Sequence, residues 1–183
     1  NLSSLFIDVR EFSFDKRILI DSVQNYAHIA NRPLSDFTCD KFSGCCAIPY
    51  SRCKLILYND FEQNEARKHW GIAHELGHIY LDHQSDGEKE EIEAHFFAAQ
   101  IVTPEIVLLN LGDRYHGITP DLIYSICNVS YESACKRIDT FKRRSGFSSS
   151  PEDQILLAKF RPILDRDFPR ERQKRFWDTF CIA

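Results

Sequence analysis

"GIAHELGHIYLDH", residues 71–83, sets Glu75 directly after one histidine and three residues before another. On an α-helix, residues four apart lie on one face about one turn apart. A helix here therefore lets His74 and His78 aim ring nitrogens at a single ion, with Glu75 beside them and directed at bound water. Open zinc sites work this way: the ion acidifies water and a carboxylate takes the proton. H-E-x-x-H arises by chance in roughly two chains in a hundred of this composition, so the reading needs a third ligand.

Two spacings supply one. The first takes a third histidine six residues past His78, after a glycine three past it. Here those positions hold Gln84 and Leu81, and His83 is off by one, so this version fails. The second takes a glutamate from the next helix, and "EEIE" at 90–93 offers three. Ala94 and Ala98 make a small-residue strip along which that helix can approach the first. Glu91 precedes them by three and seven residues and shares their face. Glu93 lies about 200° round from Glu91 and faces away. Glu90 is about 100° off and stays open; Glu91 is the choice.

With these residues in place, a resemblance emerges. "AHELGH", "EIEAHFFAAQIVTP" and "NVSYESACKRI" resemble the successive motifs of ImmA/IrrE-type zinc metallopeptidases, and "LILYND" resembles that family's strand ahead of the active helix. The likeness covers about residues 15–144. The family's second motif usually reads E-x-x-A-N/D-x-F-A-x-x-L-L-x-P, which puts its metal glutamate on Glu91. His95 stands where Asn or Asp is usual. As i+4 from Glu91 it suits a residue that orients a ligand, with a fourth-ligand role as the alternative.

The resemblance implies a zincin-like domain and site-specific cleavage of a helix-turn-helix repressor, derepressing phage, mobile-element or stress genes. It implies Zn²⁺ as cofactor, although Mn²⁺ or Fe²⁺ can occupy the same ligands.

Around the motif the chain reads as α+β. Residues 15–31 carry apolar positions at helical spacing and stop before Pro33. "LSDFTC", "CCAIPY" and "CKLILYN" are short β-prone runs between turns, predicting a small antiparallel three-stranded sheet. Asp60 and Gln63 suggest a capping box for the motif helix, which runs to about 82, and a ligand-bearing helix covers about 89–102. Residues 119–144 read as a helical hairpin turning at 128–130. Residues 1–144 are thus the expected metallopeptidase domain, and 145–183 a linker and helical C-terminal tail, broken near Pro169. The strand Lys54, Leu55, Ile56, Leu57, Tyr58 is a candidate for holding extended substrate by edge-on pairing.

Bulk properties narrow the function. A hydrophobic share of 43% with 27% charged residues suits a globular domain. A net charge of −4 argues against a general nucleic-acid binder. No apolar run approaches the roughly 20 residues a membrane helix needs. The chain opens at Asn1 without a secretory signal and lacks methionine, which suggests a processed product. Seven cysteines, none spaced C-x-x-C, suggest reduced thiols in a cytoplasmic protein. The rival function is a regulatory metal-, DNA- or protein-binding module without proteolysis, carried by Lys136, Arg137, Lys142, Arg143 and Arg144 on the hairpin. A hairpin that simply closes the metal domain is the preferred reading, so direct nucleic-acid binding is not expected. His28, His69 and His83 read as surface, packing and helix-end residues. For oxyanion stabilisation, His116 with Tyr115 or Tyr131 are candidates among which the sequence does not choose.

Overall fold

The structure, a computed structural model, describes residues 18–36, 45–50, 52–85, 87–143 and 149–169. Its elements are β1 (Ile18–Ser22), α1 (Val23–Ile29), a 3₁₀ turn (Leu34–Asp36), β2 (Cys45–Tyr50) and β3 (Cys53–Tyr58), followed by α2 (Glu65–Tyr80) and α3 (Glu88–Val102). Then come α4 (Glu105–Tyr115), α5 (Pro120–Cys127), α6 (Tyr131–Arg143) and α7 (Pro151–Asp167).

The sheet is three-stranded but mixed, which corrects the antiparallel expectation. Its order is β1-β3-β2. β1 runs parallel to β3, from Ile18 opposite Lys54 to Ser22 opposite Tyr58. β2 forms the antiparallel hairpin, with Tyr50 opposite Cys53. "ILIDS" is therefore a strand, where helical spacing had suggested the start of a helix from residue 15. Leu34–Asp36 is a 3₁₀ turn rather than a strand start, and the rest of "LSDFTC" lies outside the described residues. Ser22 ends the strand and caps α1, its hydroxyl accepting from the Asn25 N–H at 3.1 Å.

Leu55, Ile56 and Leu57 are all buried because β3 is covered on both faces. Leu55 and Leu57 pack with Val23 on one side. Ile56 and Ile18 meet Ile72, Leu76 and Ile79 of α2 on the other. That i, i+4, i+7 stripe explains why α2 lies on the sheet. The helix is capped by Asn64, not Asp60. Asp60 instead accepts from the Gln24 N–H at 2.8 Å, tying the end of β3 to the start of α1.

The opposite flank of α2 joins the helical layer. Ala73 and Ala98 sit in one core with Val107, Leu108, Leu111, Ile123, Ala134 and Ile138. Leu157 and Leu164 of α7 belong to the same core. Arg114, 4% exposed, donates to the Leu164 carbonyl at 2.9 Å and the Phe168 carbonyl at 2.8 Å, and pairs with Asp165 at 2.6 Å. Residues 151–168 thus pack on α4 instead of trailing from it. No single described helix is long and apolar enough to cross a membrane.

Candidate metal centre

α2 and α3 build the centre between them, and a glycine sets their distance. A Cβ on Gly77 would lie 3.0 Å from Ala94 Cα and 3.1 Å from its carbonyl oxygen. A side chain there would force the two backbones apart by a few tenths of an ångström. Ala94 and Ala98 are fully buried at the contact. Glu91, one turn earlier on that face of α3, reaches across to the histidines of α2.

His74 Nε2 and His78 Nε2 stand 3.1 Å apart. Glu91 places one carboxylate oxygen 3.3 Å from His74 Nε2 and the other 3.4 Å from His78 Nε2. Among the described residues, these three form the group of His, Cys, Asp or Glu side chains able to hold a metal ion. A tetrahedral ion bound at about 2.0–2.1 Å separates its donor atoms by about 3.3 Å. The donor set and its spacing fit a zinc-like ion. The His74 imidazole has its pKa pushed down from 6.5 to about 4, chiefly by burial and then by the neighbouring His95 and His78, partly offset by Glu91. It therefore stays neutral, as a ligand must be.

Glu75 does not join the donors. It lines a cleft of about 360 Å³ with His78, Ile79 and His83 on one wall and Ala47, Ile48, Pro49 and Lys54 on the other. The sheet-side wall is mainly β2. β3, the strand expected to pair with substrate, lies between β1 and β2 with both edges engaged, so Lys54–Tyr58 cannot add a further strand. Among the described residues β2 carries the outer edge on the cleft side. Its Pro49 agrees with that position, since proline in a sheet is confined to edges and bulges.

His95 makes no hydrogen bond to Glu91. Its ring lies 4.5 Å from that of His74 and stacks at 6.1 Å on Trp70. It supports His74 through ring contact and is exposed on its outer side. It also lines a second cavity of about 450 Å³ between α3 and α6, with Trp70, Phe96, Ala99 and Val129.

Two residues assigned no role in the site turn out to reach it. His83 Nδ1 is 3.0 Å from His78 Nδ1, and His83 Nε2 is 3.1 Å from Glu93. Glu93 does face away from the donors, as helix geometry requires, but towards His83. No simple spacing rule signals this link, because it depends on how α2 ends.

The family model of the IrrE N-terminal-like domain, peptidase M78, matches residues 23–139. The chain belongs to the IrrE N-terminal-like family. The match spans β3, α2, α3 and the α5–α6 hairpin, so the whole centre lies inside the family domain. No curated protein matched it in comparison.

The hairpin closes this IrrE N-terminal-like domain. Arg137, 5% exposed, donates from Nε and Nη2 to the Thr103 carbonyl at 3.2 and 2.9 Å, capping the end of α3. Lys136 pairs with Glu132 at 2.7 Å. Of the five basic residues weighed for nucleic-acid binding, Arg137 is thus buried and engaged internally, whereas the Lys136 pair is exposed. Among the described residues, no cysteine joins the three donors. Cys45 packs against Gly71, and burial, with Glu75 adding to it, pushes its thiol up to about 12.

Proposed function

We propose that the protein is a zinc-dependent, site-specific endopeptidase in which His74, His78 and Glu91 hold the ion and Glu75 is the general base. The convergence of those three side chains' donor atoms carries the reading, and membership of a peptidase family supports it. When bound, a divalent ion there polarises a carbonyl and acidifies water. Glu75, in the adjoining cleft, takes the proton of the attacking water and returns it to the leaving amine. The outer edge of β2 offers backbone groups to an extended peptide running along the cleft. The cavity beside His95 and Trp70 suits an apolar side chain of that peptide.

The substrate we propose is a small helix-turn-helix repressor, as the family resemblance implies. A strand edge recognises backbone with little selectivity, so the target must also be recognised by a docking surface. Zinc-loaded protein should make a single cut in such a repressor and leave casein almost intact. A chelator should block the cut. Glu75→Gln should abolish it while retaining nearly stoichiometric metal. Binding of the repressor without cleavage by the loaded wild type would favour a regulatory binding module instead.

A further inference from the structure

The end of α2 explains how His83 reaches the centre. Asp82 adopts the left-handed conformation, with φ of 56°. The His83 N–H donates to the His78 carbonyl at 3.0 Å, and the Asp82 N–H lies 3.4 Å from the Ile79 carbonyl. These are the two hydrogen bonds of a Schellman C-cap, which folds the residue after the left-handed one back over the third residue from the helix end. Usually an apolar contact accompanies the cap. Here the pair is His83 over His78.

We infer that Glu93 and His83 form a positioning chain that fixes the ring orientation and tautomer of His78. An ionised carboxylate only accepts, so a neutral His83 presents Nε2–H to Glu93. That leaves the His83 Nδ1 lone pair facing His78, which must answer with Nδ1–H. The His78 Nε2 lone pair is then exposed towards His74 and Glu91. Each proton position follows from the one before it. The chain is built on both helices: Lys89 lies 3.6 Å from the other Glu93 oxygen, and the His83 side chain is only 6% exposed. His74 is held differently, since its Nδ1 is buried without a hydrogen-bond partner among the described residues. One histidine is locked by hydrogen bonds and the other by packing.

The inference rests on the metal reading of the centre, and the test separates the two. Competition with a chromophoric chelator gives the Zn²⁺ dissociation constant for wild type, His74→Ala, His83→Ala, His83→Gln and Glu93→Ala. Removing a group that orients a metal ligand costs about 10- to 100-fold in affinity. That loss is expected for His83→Ala and for Glu93→Ala. His83→Gln should recover most of it, because its side-chain oxygen accepts from His78 Nδ1–H. In the metal-free wild type, ¹⁵N shifts should report His78 as the Nδ1–H tautomer, and His83→Ala should lose that preference.

Equal Zn²⁺ affinity of His83→Ala and wild type, with loss in His74→Ala, would overturn the positioning chain alone. A His83→Gln no tighter than His83→Ala would overturn it too. Zn²⁺ binding unaffected by His74→Ala would remove the metal reading itself, and the chain with it. Should His83→Ala fail to fold, half-exposed Glu93 still decides the matter, because its truncation opens no core.

Discussion

His74 carries the most direct consequence of burial at the scale of single residues. Its pKa of about 4 in the folded chain, against 6.5 when free, means the fold favours the neutral ring. The unfolded chain takes up that proton first as pH falls, so stability rises with pH across the window. The contribution is complete above about pH 6.5 and is lost progressively down to about pH 4. Metal-free protein should therefore melt at steadily lower temperature between those values. His74→Asn, which never titrates, should show a shallower decline over the same range, and parallel profiles would refute the assignment. At this scale the sequence already displayed the two histidines proposed as ligands, because four-residue spacing on a helix is a local property. It hid His83 and Glu93, whose meeting depends on a left-handed Asp82.

The decisive element is the α2–α3 pair. Gly77→Ala would place a methyl within 3.1 Å of the Ala94 backbone, and a backbone cannot step aside as a side-chain end can. The helices must separate by a few tenths of an ångström or more, carrying Glu91 from the two histidines. Weaker Zn²⁺ binding by about tenfold or more is expected, in protein that still folds, measured by the same chelator competition. An unchanged dissociation constant would show that Gly77 does not govern the helix spacing.

Elements also divide what the sequence revealed from what it concealed. Helices α2, α3, α5 and α6 announce themselves by periodicity and by the turn at Asn128. β1 did not: Ile18 and Ile20 fit a helical stripe almost as well as a strand, and only pairing with β3 decides. β3, expected to offer an open edge, is instead central; its unbroken "LIL" and the Pro49 of β2 are the signals for that order. α4 buries most of "EIVLLNLGDRY", Glu105 and Arg114 included, and a helix buried on several faces shows no clear stripe in its sequence.

For the whole molecule the question is where the fold ends. α7 supplies Leu157 and Leu164 to the core and two acceptors to the buried Arg114, and Phe168 just after it a third. Truncation before residue 151 removes them together, leaves Arg114 only Asn110 among these hydrogen-bond partners, and exposes the apolar surface that Leu157 and Leu164 cover. The shortened chain should be largely unfolded by circular dichroism and should bind Zn²⁺ poorly, although every proposed ligand is present. The milder Leu164→Ala should cost about 2–5 kcal/mol in denaturant unfolding while the folded fraction retains its metal stoichiometry. A stable truncated domain would show that α7 only decorates the core.

The Schellman cap of α2 has a further consequence, for the freedom of the chain beyond it. Chain reversal is complete by His83, whose backbone and ring are both anchored to His78. Gln84 and Ser85, exposed just after it, line the cleft beside Glu75, and Gln84 donates back to the Asp82 carbonyl at 3.0 Å. A fluorophore-bearing insert after Ser85 should therefore leave the anchored His83–His78 pair, and with it the Zn²⁺ dissociation constant, unchanged, while altering access to the cleft that Ser85 lines.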